Sequence, residues 1–179
     1  MRNSLSIRTL TPLLFVGIML INVPGAIAQG SAVHERIDYH RGLRLYDEGL
    51  FQESVRYLQQ FLKTTPNSTL SESAWYYLAK AQTASDSINV VRYYEQFIDR
   101  YPESEWAADF MIELGHRYRE SGDQLLAIDY FERAFEIDMP ASKAAPLLFW
   151  TAEMYIAIND YDTARAKYLL LSNLYRSHE

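Results

Sequence analysis

The residues that most often carry chemistry are scattered along this sequence. Its four histidines are His34, His40, His116 and His178. None lies three or four residues from another, the spacing at which two imidazoles on one helix share a metal ion. Acidic pairs occur at Asp47-Glu48 and at Asp160 with Asp162, but both fall at expected turns, where carboxylates bond backbone amides in water. Catalysis needs an oriented base in a water-poor pocket, so we expect no enzyme, no metal site and no cofactor.

Composition excludes further kinds of chemistry. The 179 residues contain no cysteine, which rules out disulfides, thiolate catalysis and a lipid-modified N-terminal cysteine. There is no glycine-rich phosphate loop and no G-x-S-x-G nucleophile elbow. The formal net charge is −6 at pH 7, so the phosphate backbone of a nucleic acid would be repelled.

Small residues recur where pairs of helices would have to approach each other closely. Gly42, Ala79, Gly115 and Ala152 are spaced by 37, 36 and 37 residues. A period of this size indicates tandem units, none of which can bury its apolar face alone. The clearest unit, 114–138, places a Gly122-Asp123 turn between two amphipathic segments. The sequence therefore predicts an all-α solenoid over residues 35–179, with four helical hairpins at about 35–68, 72–104, 108–141 and 145–176.

The units resemble the tetratricopeptide repeat family, in which Leu-Gly or Leu-Ala, Tyr, a Gly-Asp turn, Ala, an aromatic residue, Ala and Pro follow in order. The third unit carries this pattern through Leu114, Gly115, Tyr118, Gly122, Asp123, Ala127, Phe131, Ala134 and Pro140. The first unit departs from it at Ser54, where Ala is usual. In the second unit, Ser85-Asp86-Ser87 replaces the glycine turn, so we expect a less regular turn there.

The joint Tyr101-Pro102-Glu103-Ser104 and the long units are similar to those of bacterial envelope members of the family. Two such members are the periplasmic repeat protein of the Tol–Pal system and the repeat lipoprotein of the outer-membrane barrel assembly machine. Residues 29–34 leave no room for the coiled coil of the first, and the lipidated cysteine of the second is absent. The resemblance therefore extends to the repeat subfamily only.

The resemblance also implies that the first helix of each unit lines a concave groove that binds a peptide or protein. Carried onto this sequence, the groove residues are Tyr39, Leu43, Tyr46, Tyr76, Lys80, Thr83, Ile112, His116, Arg119, Phe149, Glu153 and Ile156. Aromatic and arginine side chains often dominate the energy of such interfaces. Chaperone-tail binders of the family clamp a carboxylate with Lys and Asn. The column Leu43, Lys80, His116 and Glu153 lacks that pattern.

Residues 1–28 have the three parts of a secretory signal peptide, namely Arg2 and Arg8, an apolar run at 13–23, and Ala26-Ile27-Ala28. We expect cleavage after Ala28, a short lead at 29–34, and a periplasmic or secreted chain without membrane insertion. The alternative is an uncleaved N-terminal anchor, because residues 9–28 are uncharged and approach the length that spans a bilayer.

The last predicted helix is apolar on two faces. Ala164, Tyr168, Leu171 and Tyr175 would pack on their own hairpin, whereas Leu170 and Leu174, with Leu169 nearby, lie elsewhere. We expect these leucines to form a patch that binds a partner or a second copy. The sequence thus predicts a periplasmic interaction scaffold for envelope assembly or maintenance. The alternative is an accessory subunit docked into a larger envelope complex through its exposed C-terminal helix.

Overall fold

The structure, a computed structural model, describes residues 37–176. Within this range the chain forms α-helices and one 3₁₀ turn, and no β-strand. In chain order the elements are α1 (37–47), α2 (Phe51–Thr64), α3 (Ser71–Ser85), the 3₁₀ turn (Ser87–Asn89), α4 (Val90–Arg100), α5 (Glu105–Ser121), α6 (Gln124–Phe135), α7 (Ala141–Ala157) and α8 (Tyr161–Arg176). The expectations for residues 1–28 and 29–34 lie outside the described residues.

Neighbouring helices pack in sequence order, both within a hairpin and between hairpins. α5 packs on α6 and α7 on α8, while α2 packs on α3 and α6 on α7. We call α1, α3, α5 and α7 the leading helices of the four hairpins. The predicted all-α solenoid is confirmed.

The turns inside the hairpins follow the residue types that the sequence supplies. Gly49 and Gly122 adopt left-handed backbone angles, with φ of 76° and 84°, and Asn159 does so at 64°. Glycine and asparagine tolerate this region at low steric cost. The second hairpin has no glycine at this turn, which is built around Asp86 instead. The Asp86 carboxylate accepts hydrogen bonds from the Ile88 amide at 3.1 Å and the Tyr93 hydroxyl at 3.0 Å. The expected irregular turn is confirmed.

The small residues sit where the two helices of a hairpin touch. A Cβ atom added to Gly42 would lie 2.7 Å from Cγ of Leu58, and one added to Gly115 would overlap the ring of Phe131. Ala79 and Ala152 are likewise buried. Ser54, at its unusual position, is buried, and its hydroxyl donates to the carbonyl of Gly42 at 2.8 Å. The polar substitution is therefore satisfied inside the first hairpin.

Polar links join the same helix of successive hairpins. Among leading helices, the Tyr39 hydroxyl bonds Ser73 at 2.8 Å and Lys143 bonds Asp109 at 2.6 Å. Among second helices, Tyr130 donates to Glu95, and Lys167 donates to Glu132 at 2.7 Å. Each link spans 34 or 35 residues. These links set the register in which one hairpin stacks on the next.

Replacement of Gly115 by alanine tests the close approach of α5 and α6. In an isolated helix this change would stabilise by about 1 kcal/mol. Here the added methyl group meets Phe131, which is fully buried and cannot swing away, and such overpacking costs about 1–3 kcal/mol. We expect Gly115→Ala to lower the free energy of unfolding in urea. Arg117→Ala, an exposed change on the same helix, should leave it nearly unchanged, and a stabilised Gly115→Ala chain would contradict the packing.

Candidate protein-binding groove

The first hairpin contributes less to an accessible groove than the sequence suggested. Tyr39 is buried, with 6% of its surface exposed, and its ring packs 5.4 Å from that of Phe61. This placement differs from the groove position expected for Tyr39, because α2 and α3 close over it. Leu43 is half-buried against the same cluster. Tyr46 is also half-buried, with its ring 5.3 Å from Tyr77 of α3, so this part of the wall is ring packing.

Tyr76 of α3 lies at the contact between the second and third leading helices. Its ring stacks on Trp106 at 4.9 Å and on Phe110 at 5.3 Å, both from α5. Burial, reinforced by the charge of Asp109, raises the pKa of Tyr76 above its ordinary value. Lys80, one turn further along α3, approaches Glu113 of α5 at 3.8 Å. Both predicted groove residues are therefore occupied in joining α3 to α5 and present only part of their surfaces.

A cleft opens between the third and fourth leading helices. Its volume is about 230 Å³. Its lining residues are Asp109, Ile112, His116, Ser142, Lys143, Pro146, Leu147 and Trp150. The ion pair of Asp109 with Lys143 belongs to this lining, and the rest is mostly apolar. The cleft can therefore receive an apolar side chain between two fixed helices.

Next to the cleft, a cationic side chain packs on Trp150, one of the lining residues. The guanidinium of Arg119 lies 4.0 Å above the ring of Trp150, an arrangement that attracts through the quadrupole of the indole. His116 contacts the same indole edge-on, with ring centroids 5.8 Å apart. Arg119 Nε and His116 Nδ1 are buried and have no hydrogen-bond partner within residues 37–176. Trp150 thus holds both polar side chains of α5 in place.

The electrostatic environment keeps His116 uncharged. Burial, and after it the charge of Arg119, lowers the pKa of His116 below 6.5. At neutral pH this wall therefore carries the single positive charge of Arg119, whose closest carboxylate contact is with exposed Glu120 at 3.6 Å.

The fourth leading helix places its three predicted residues differently from one another. Phe149 is 39% exposed and contacts Trp150 edge-on. Glu153 accepts a hydrogen bond from the Tyr168 hydroxyl of α8, a bond that raises the pKa of Tyr168 to about 12. Ile156 is 39% exposed. Phe149 and Ile156 remain available for contacts, whereas Glu153 is engaged within its own hairpin.

The structure therefore brings Ile112, His116 and Arg119 close to one another and adds a residue that the sequence reasoning missed. That residue is Trp150, the central contact of the wall. A signal was present, because Trp150 stands two residues before the small residue Ala152 on a leading helix. Its neighbours across the groove, however, are 31 to 34 residues away in sequence.

Leu170 and Leu174, the residues of the expected C-terminal patch, lie one turn apart on α8 and differ in exposure. Leu170 is 48% exposed. Leu174 is half-buried and lines a hollow with Phe135, Met139 and Ala144. The connection between α6 and α7 lies against this part of α8, so Leu174 faces back into the array.

Metal-binding and membrane-spanning features are both missing from the described part of the chain. No group of three or more histidine, aspartate or glutamate side chains there could hold a metal ion. No helix between residues 37 and 176 combines the length and apolar character needed to cross a membrane.

Comparison with known proteins gives a similarity of fold. No family model matches the chain, and no curated protein matches it. A crystal structure of MamA superposes with a TM-score of 0.57 at 18% sequence identity, over 86% of this chain and 85% of that one. MamA from Desulfovibrio magneticus RS-1 gives a TM-score of 0.54 at 19% identity, over 81% of this chain and 77% of the other. At such identities the similarity concerns the fold alone.

The lowered pKa of His116 predicts a pH dependence of stability. The His116 imidazole binds a proton less readily in the folded chain than in the unfolded chain. The contribution of neutral His116 to stability is therefore complete above pH 6.5, and it is lost as the pH falls through the lowered pKa of the folded chain. We expect the free energy of unfolding, measured in urea from about pH 8 to about pH 5, to fall more steeply for the original chain than for His116→Gln. Carboxylates titrate in both chains, so parallel curves would contradict the assignment.

Proposed function

We propose that this chain is an exported, non-enzymatic scaffold that binds an extended segment of another protein across its leading helices. The observation that carries this proposal is the cleft between α5 and α7, with Arg119 and His116 fixed against Trp150 at its wall. An arginine held in this way has already lost much of its side-chain freedom. It can therefore bind a backbone carbonyl or a carboxylate at a lower entropic cost than a free arginine.

A row of apolar side chains favours an extended segment over a compact small molecule. Tyr76, Ile112 and Phe149 occupy the same position in three successive leading helices, at spacings of 36 and 37 residues. Ile112 lines the cleft, and the other two lie on the helices either side of α5. A segment that crosses these helices can place one apolar side chain in the cleft and others along the row. This is the geometry in which extended peptides bind helical repeats.

The charges of the groove favour a ligand that offers oxygen atoms beside its apolar residue. Lys143 is paired with Asp109, and Lys80 approaches Glu113. Arg119 stacks on an aromatic ring, and its carboxylate neighbour, Glu120 at 3.6 Å, is an exposed surface residue. Its guanidinium is therefore the cation best placed for a ligand. An apolar anchor next to a main-chain carbonyl or an acidic side chain satisfies both features of the site.

The proposed location is the bacterial periplasm, and the proposed role is envelope assembly or maintenance. The support is the signal-peptide pattern of residues 1–28 and the resemblance, in sequence alone, of the Tyr101-Pro102-Glu103-Ser104 joint to envelope repeat proteins. If Arg2 and Arg8 are removed with it, the chain keeps 15 basic and 23 acidic residues and a net charge of −8. A second candidate function, docking as a subunit through the C-terminal helix, is favoured by the exposed side chains of Leu169 and Leu170 on α8.

A binding experiment tests the groove. Peptides selected from a random displayed library against the original chain serve as probes, and their affinities are measured by fluorescence anisotropy. Ile112→Glu buries a charge at the cleft and should weaken binding at least about tenfold, which corresponds to about 1.4 kcal/mol. Leu125→Glu makes a comparable chemical change on α6, at a side chain that is 68% exposed, and should leave affinity unchanged. Equal affinities for both variants would place the binding site elsewhere.

A cleavage experiment tests export. Small residues are required at the two outer positions of Ala26-Ile27-Ala28 and not at the middle one. In a Gram-negative host we expect the original chain and Ile27→Leu to appear in the periplasm with Gln29 as first residue, by mass spectrometry. Ala28→Leu should accumulate uncut. An original chain that keeps residues 1–28 in the membrane would support the anchored alternative instead.

A further inference from the structure

The fourth hairpin presents an apolar face that no described helix covers. Phe149 and Ile156 of α7 are each 39% exposed, and Leu169 of α8 is 56% exposed. Between the two helices lies a hollow of about 330 Å³, lined by Ile156, Tyr161, Ala164, Arg165, Tyr168 and Leu169. The exposed leucine and isoleucine therefore border a depression between helices.

The leading helices show what this face corresponds to in the earlier hairpins. Ile156 is one period after Arg119, at a spacing of 37 residues, and Arg119 contacts Trp150 of the following hairpin. Phe149 is one and two periods after Ile112 and Tyr76. Tyr76 stacks on α5, and Ile112 lines the cleft with α7. At both of these repeat positions, the residues of the earlier hairpins contact the next hairpin.

The second helices lead to the same conclusion independently. Glu95, Glu132 and Leu169 are spaced by 37 residues. Glu95 accepts a hydrogen bond from Tyr130 of the next hairpin. Glu132 accepts hydrogen bonds from Lys167 at 2.7 Å and Tyr155 at 3.2 Å, both in the next hairpin. Leu169 therefore stands at the position through which each preceding hairpin contacts its successor.

The exposed face of the fourth hairpin is apolar, whereas the solvent-exposed end of a repeat array is usually polar. A helix that closes a repeat array has polar residues on its outer side. Here the polar residues occur in the covered hairpin, as Arg119 and Glu132, and the apolar ones in the uncovered hairpin, as Ile156 and Leu169. An exposed apolar patch at a stacking position is typical of a protein–protein interface.

The first described helix, at the opposite end of the array, carries several charged groups. On α1 the exposed side chains include His40, Arg41 and Arg44, beside Ile37, which is 49% exposed. Arg41 lies 4.7 Å above the ring of Tyr57, and Arg44 approaches Glu48 at 3.8 Å. Head-to-tail stacking of two copies would bury these charges against Ile156 and Leu169, at a high desolvation cost. It would also leave free ends and produce an open filament.

We propose that the α7–α8 faces of two copies pair with each other about a two-fold axis, so that the chain forms a homodimer. In this arrangement Phe149, Ile156 and Leu169 of one copy are covered by the same apolar surface of the other. Each copy thus supplies the layer that a further hairpin supplies elsewhere in the array. None of these three residues lines the α5–α7 cleft. Phe149 also belongs to the row proposed for peptide binding, whereas the two residues changed in the test, Ile156 and Leu169, lie outside that row.

The test is the molar mass in solution of the chain beginning at Gln29, which retains every described residue. Sedimentation equilibrium over a wide concentration range should give a monomer–dimer equilibrium. The double variant Ile156→Glu, Leu169→Glu should remain a monomer throughout, with unchanged helical circular dichroism. The matched control is Ile88→Glu, Leu125→Glu, in which two other exposed apolar residues become acidic. This control should dimerise like the original chain.

A second variant separates the two-fold arrangement from the head-to-tail one. Arg41→Glu, Arg44→Glu reverses charges on the exposed face of α1 and should leave the dimer unchanged. A loss of association in this variant, or species larger than dimers in the original chain, would overturn the two-fold pairing. A chain that stays monomeric at all concentrations, or dimerisation that persists in the Ile156→Glu, Leu169→Glu double variant, would overturn the proposed interface.

Discussion

The close approach of two helix backbones inside each hairpin is the constraint on which the rest of this structure depends. Gly42 faces Leu58 and Gly115 faces Phe131 so tightly that no Cβ atom fits, and Ala79 and Ala152 are buried at the equivalent positions. Each hairpin can bury only part of its large apolar side chains between its own two helices. Others, such as Tyr76 against Trp106 and Phe110, are buried by the next hairpin, and this is why the fold extends as a stack.

Because the hairpins stack in one register, residues at equivalent positions make equivalent contacts with the next hairpin. The hydrogen bonds Tyr39–Ser73, Asp109–Lys143, Glu95–Tyr130 and Glu132–Lys167 each join the same helix of successive hairpins. Such links are individually modest in energy, but they oppose sliding of one hairpin along another. As a consequence, positions about 37 residues apart form rows across the leading helices.

At each of the two proposed interaction surfaces, apolar side chains border a hollow between helices. A cleft lies between α5 and α7, and Trp150 fixes Arg119 and His116 beside it. At α7 and α8 the layer that would cover Phe149, Ile156 and Leu169 is absent from the described residues. One surface is concave and mixed in chemistry, which suits a segment of a partner. The other is mostly apolar, which suits the proposed pairing with a second copy.

The sequence by itself determined the repeating helical hairpin of this protein, because the 3.6-residue period, the turn residues and the small residues are local features. It therefore predicted the helical hairpins of residues 37–176 and the irregular turn at Asp86. Tertiary structure alone decided which face of each helix was covered. Tyr39 is buried by α2 and α3, Leu174 faces the connection between α6 and α7, and Trp150 meets Arg119 from another hairpin. A side chain's direction on its helix follows from the sequence, but its neighbour lies some 30 residues away and is fixed only when the hairpins stack.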